Sequence, residues 1–168
     1  MSRSTSSPAS HSSSTLTYSV FQPEFRAEIV QSVRRVYGLD IGKASVYRVL
    51  VSFRARTGWT NPFTLIYDTG AVVSLLPAMF HDLLQVEKSA SIKLAGIAPG
   101  VQVSARLTRT SLRLHDPRGK TSPTMDAWVA IAEKDNVPLI LGLKDVSDRH
   151  NFRVDGRRKT FYLDFLNQ

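Results

Sequence analysis

From residue 46 to residue 165 the chain is cut into short extended runs by glycine, proline, asparagine and aspartate turns. This punctuation restricts the fold more than any other feature. Residues 46–54 alternate, with Val46, Arg48, Leu50 and Ser52 on one side and Tyr47, Val49, Val51 and Phe53 on the other. Thr57-Gly58-Trp59-Thr60-Asn61-Pro62 is turn chemistry, and residues 63–67 return as a second strand, which makes a hairpin with Asp68 at its tip. Residues 76–84 read as a short helix or turn after Pro77. Residues 91–114 form two extended runs flanking Ala95-Gly96-Ile97-Ala98-Pro99-Gly100, and residues 115–119 are a surface turn. Residues 125–132 and the apolar stretch 137–142 are further strands, and 152–154 and 160–165 close a hairpin around Asp155-Gly156. Short strands at this spacing predict an all-β protein, a closed barrel or sandwich with one or two short helices.

The N-terminal part reads differently. Residues 2–15 are mostly Ser and Thr and bury too little apolar surface to offset the entropy of ordering them, so residues 1–17 are expected to be a disordered tail. Residues 18–44 are expected to be a helical extension. Phe25, Ile29, Val33 and Tyr37 recur at helical spacing, Pro23 suits a first turn, and Gly38 suits a stop. The stretch 38–43 lacks the glycine spacing and the Ser/Thr after Lys43 that a phosphate loop requires. Residues 45–168 remain as the single main domain.

Composition removes several chemistries. There is no cysteine, so disulfide scaffolds, thiolate metal sites and cysteine nucleophiles are excluded. His11, His81, His115 and His150 show no metal-ligand spacing, and no Gly-x-Ser-x-Gly elbow occurs. No metal and no cofactor are therefore expected. The net charge is +8, with basic groups at Arg34-Arg35, at Arg106, Arg109 and Arg113, and at Arg157-Arg158-Lys159. Nucleic-acid binding would need such groups on one face with interleaved aromatics, or a known binding motif. The sequence displays neither, so the basic residues are read as solvated surface, Trp59 and Trp128 as core or turn anchors, and nucleic acid is not an expected partner. No run has the length of a membrane span and the N-terminus lacks a secretory h-region, so a soluble, intracellular, cytoplasmic protein without membrane contact is expected.

Asp68-Thr69-Gly70-Ala71 ends the apolar run 62–67, with Ser74 and Leu76-Pro77 following. An ionised carboxylate carried out of a buried strand is costly unless it has a partner or a task. Further along, Leu139-Ile140-Leu141-Gly142 is an apolar pair followed by glycine. Together these elements resemble the active-site turn and second signature of retropepsin-like aspartic proteases, and residues 95–100 lie where that family carries its flap. The likeness covers about residues 45–165 and extends to Phe152-Arg153-Val154 and Phe161-Tyr162-Leu163. Tyr67 is bulkier than the family's usual aliphatic, and Leu143-Lys144-Asp145 replaces the acidic residue or Arg often found there.

The resemblance implies a retropepsin-like closed barrel with a flap hairpin, and an aspartic endopeptidase with Asp68 as its catalytic carboxylate. Thr69 would bond across a two-fold axis, Gly70 would permit the tight turn, Ala71 would sit beside the substrate backbone, and Ser74 would hydrogen-bond Asp68. Ala95, Gly96, Ile97, Ala98, Pro99 and Gly100 would close over substrate, while Ile140, Leu141 and Gly142 would pack behind the turn. Two carboxyls sharing one proton can both activate water and protonate the leaving amide. One chain supplies a single such Asp, so the implied partners are a second copy in a homodimer and a polypeptide substrate. The competing reading is a catalytically weak or silent domain of this type, used for dimerisation or protein binding.

Overall fold

The computed structural model describes residues 14–23, 30–31, 34–36, 38, 45–86, 88–95 and 102–165. Strands dominate, at 55%, with 9% helix. They are β1 (Ser14–Ser19), β2 (Arg48–Ala55), β3 (Gly58–Trp59), β4 (Phe63–Tyr67), β5 (Ser74–Leu76), β6 (Ser89–Ala95), β7 (Gln102–His115), β8 (Met125–Ala132), β9 (Ile140–Leu141), β10 (His150–Asp155) and β11 (Thr160–Phe165). The short helix α1 (Phe80–Leu83) lies between β5 and β6, and a 3-10 turn (Ser147–Arg149) precedes β10.

Six strands close into a barrel in the order β2-β4-β9-β5-β8-β7, with β7 pairing back onto β2. Two of its pairings, β4 with β9 and β5 with β8, are parallel. Alternation explains why the wall closes over an apolar interior. Val49, Val51 and Phe53 of β2 are fully buried, and so are Leu112 and Leu114 of β7, which pair with Phe53 and Val51. Phe80 of α1 is buried against Phe53 and Phe63, so the helix plugs the barrel end. β3 and β6 extend the wall outward from β2 and β7.

A separate antiparallel sheet, β1-β11-β10, packs on the barrel through aromatic rings. Tyr47, beside β2, meets Phe152 and Phe161 edge-on at 5.1 and 5.3 Å, while within the sheet Tyr18 stacks on Phe161 at 4.8 Å. This sheet corrects the expected tail boundary. Residues 14–17 belong to β1, in full register from Ser14 opposite Phe165 to Ser19 opposite Thr160. Leu16 and Tyr18 supply an apolar face, and the Thr15 hydroxyl donates to Asp164 at 2.7 Å. Ser/Thr content hid a period-two strand whose free energy comes from a partner 149 residues away.

Other expectations shift locally. Residues 30, 31 and 34–36 are helical, while Phe25, Ile29, Val33 and Tyr37 lie outside the described residues. Phe21 bridges to Val46 and its ring lies 3.8 Å beneath the Arg48 guanidinium, which ties residues 18–23 to the barrel. The apolar stretch 137–142 contributes only Ile140–Leu141 as strand. The turn after β7 is less superficial than predicted. Asp116 is buried there, its carboxylate accepting the Arg118 and Lys120 backbone N–H groups at 2.9 Å.

Candidate active site

β4 delivers Asp68 to the barrel rim. Leu65 and Tyr67 point inward and are buried, so Asp68 starts the turn half-buried. The Gly70 N–H donates to Asp68 Oδ1 at 2.8 Å, and the Ala71 N–H donates to the Asp68 carbonyl at 3.3 Å. Asp68 Oδ2 accepts no hydrogen bond among the described residues. One oxygen is therefore fixed by the backbone and the other stays available to an external donor.

The turn is held from behind by β9 and the residues after it. The Asp68 N–H donates to the Leu141 carbonyl at 3.1 Å, and the Ile66 N–H to the Leu139 carbonyl at 2.9 Å. Leu143 and Lys144 N–H groups donate to the carbonyls of Ala71 and Val72 at 2.9 and 2.8 Å. Gly142 sits where the two segments cross: a Cβ there would lie 2.4 Å from the Val73 carbonyl carbon, far inside contact distance. The sequence expectation for Ser74 needs correcting. Its buried hydroxyl accepts the Gly142 N–H at 3.1 Å and does not bond Asp68. The crossing backbone leaves that N–H no carbonyl, and Ser74 is the group in reach.

In front of Asp68 lies a cleft of about 400 Å³, with Val73, Leu75, Leu94, Pro138 and Ile140 among its walls. Its floor continues into an apolar cluster of Leu75, Ala105, Ala130 and Ala132 on the outer side of the wall. Among the described residues, Asp68 is the only acidic one lining it. Of the flap candidates, Ala95 ends β6 and lines this cleft; Gly96, Ile97, Ala98, Pro99 and Gly100 lie outside the described residues. Thr69 and Gly70 are exposed, and Val72 is 73% exposed beside a hollow of about 280 Å³ that also touches Lys144 and Asp148.

Two residues near the site carried no sequence signal of their role. The Tyr67 hydroxyl hydrogen-bonds His150 Nε2 at 2.9 Å, and its ring stacks on Phe152 at 5.2 Å. Burial pushes the Tyr67 hydroxyl up to about 12. Burial also lowers His150 below the ordinary histidine value, opposed by the Val146 backbone and the Asp164 charge. Among the described residues His150 Nδ1 has no well-formed hydrogen bond, even though Val146 is near. Eighty-three residues separate this pair, so nothing local could have announced it. Among the described residues no cluster of His, Asp and Glu could hold a metal.

The arrangement can orient one carboxylate toward an apolar cleft, and it can exchange a proton there through one free oxygen. Among the described residues lining the cleft there is no second carboxyl to complete acid–base chemistry. The sequence matches no protein-family model and no curated protein.

Proposed function

We propose that this chain is an aspartic endopeptidase of the retropepsin-like kind, working as a homodimer that pairs the Asp68 carboxyls of two copies. The single observation carrying this reading is the rim geometry: Asp68 with one oxygen held by the Gly70 N–H, the other free, facing an apolar cleft. Exposure of Thr69, Gly70 and Val72 around it supports a second copy covering that surface. Two carboxyls brought together this way cannot both ionise, so they share a proton. One takes a proton from water as its oxygen adds to the scissile carbonyl carbon, and the other gives one to the amide nitrogen as the C–N bond breaks. The apolar walls favour substrates with large apolar side chains beside the cut, and the β6–β7 hairpin would lie over them.

The Asp68→Asn variant tests the chemistry. Peptide cleavage is expected to fall by at least about a hundredfold, the range general acid–base catalysis supplies, with the melting temperature held. Cleavage surviving at mildly acid pH would remove the catalytic assignment. A folded dimer that binds apolar peptides without cutting them would instead favour the silent binding module.

A further inference from the structure

The outer wall built by β3, β2, β7 and β8 gathers cations that have no ion-pair partner among the described residues. On β7, Thr110, Leu112 and Leu114 are buried, which turns Arg109, Ser111 and Arg113 outward. Strand register completes the face. Arg113 stands opposite Ser52, Arg109 opposite Trp128, and Arg54 opposite Trp59, and such antiparallel partners share a side of the sheet. Arg54, Trp59, Arg109 and Arg113 line an open groove of about 540 Å³ in which Asp126 is the one acid among the described residues. Asp126 accepts the Ser111 hydroxyl at 2.6 Å, and none of the three arginines has an ion-pair partner among the described residues. The Arg113 guanidinium lies 4.1 Å from the Trp59 ring centre while its Nε donates to Thr124, and Arg54 lies 5.9 Å from the same ring. Arg106 is not part of this face; it lines a different hollow with His81 and Glu133.

From this wall we infer a binding site for single-stranded nucleic acid, with phosphates on Arg54, Arg109 and Arg113 and bases against Trp59 and Trp128. Guanidiniums without carboxylate partners match phosphate in charge and fork geometry. Half-buried tryptophans beside them add what a site for phosphate alone does not need, a flat surface on which any base can stack. In a duplex the bases are already stacked on one another, so an unpaired strand is the better fit. The sequence offered no such face because its arginines and tryptophans are scattered over four strands; the barrel brings them together. The groove shares no residue with the Asp68 cleft, so it stands apart from the peptidase reading.

Fluorescence anisotropy of the full chain with labelled oligo(dT) and oligo(U) of about 20 nucleotides tests the site. Three phosphate contacts predict a log–log salt slope near −2, about a twentyfold loss between roughly 50 and 200 mM salt. Tryptophan fluorescence is expected to quench on binding. R54A/R109A/R113A is expected to weaken binding by at least about tenfold and flatten the slope. R157A/R158A/K159A, which removes equal charge elsewhere, is expected to stay within about twofold, and R109K/R113K to retain the slope. No binding at low salt, equal loss in both triple variants, or binding without tryptophan quenching would each overturn the proposal. So would equally tight binding of a phosphoserine peptide of matched charge, which would assign the groove to phosphoprotein.

Discussion

At Gly142 a single methyl group would strike the Val73 backbone, which has no side-chain freedom with which to yield. Gly142→Ala is therefore expected to destabilise the fold by about 2–3 kcal/mol, as overpacking does, read as a lower midpoint in urea. Ser74→Ala leaves the Gly142 N–H buried without an acceptor and should cost about 1–3 kcal/mol. If Ser74→Ala instead shifted the pH profile of cleavage with stability intact, Ser74 would belong to the Asp68 carboxylate after all. His150 gives a third test. Its proton affinity is lowered by burial, so the unfolded chain protonates first as pH falls. The stability it contributes is present above the ordinary value of 6.5 and is lost as pH drops below it. Melting temperatures from pH 7.5 to 5 should fall less steeply in His150→Gln than in the parent chain. Some slope should remain, because burial and Arg113 lower His115 in the same sense. Identical slopes in the two proteins would exclude His150 as a contributor.

Among the elements, β1 is the one whose role the sequence concealed. Leu16 is fully buried and β1 occupies one edge of β11 along its whole length. Leu16→Ala is expected to cost about 2–5 kcal/mol, and a melting curve unchanged by it would mean that β1 is not held in solution. The period-two run on β2 was legible because alternation is a local property, set by which side of a strand each residue takes. The strand limits at β9 were not. Pro138 offers no N–H, and the pairing of Ile140 and Leu141 depends on β4 and β5, both distant in sequence. The same holds for Ser74, whose partner Gly142 comes from across the barrel, 68 residues away.

For the whole molecule, the proposed dimer predicts a solution mass of twice 18.7 kDa at concentrations where cleavage is seen. A chain that cuts peptides as a strict monomer would defeat the dyad. The net charge of +8 sharpens the second surface, because only the part of it on the Arg54–Arg109–Arg113 wall should govern salt-dependent binding. By itself the sequence determined that the chain is a mostly β protein with short strands and that one carboxylate leaves a buried strand at a glycine turn. Both follow from side-chain alternation and turn chemistry, which act over a few residues. Only the tertiary structure decided that Ser74 braces Gly142, that Tyr67 meets His150, that residues 14–17 form a strand, and that arginines and tryptophans share one wall. Each of these is a contact between distant segments, and its geometry exists only after the barrel has closed.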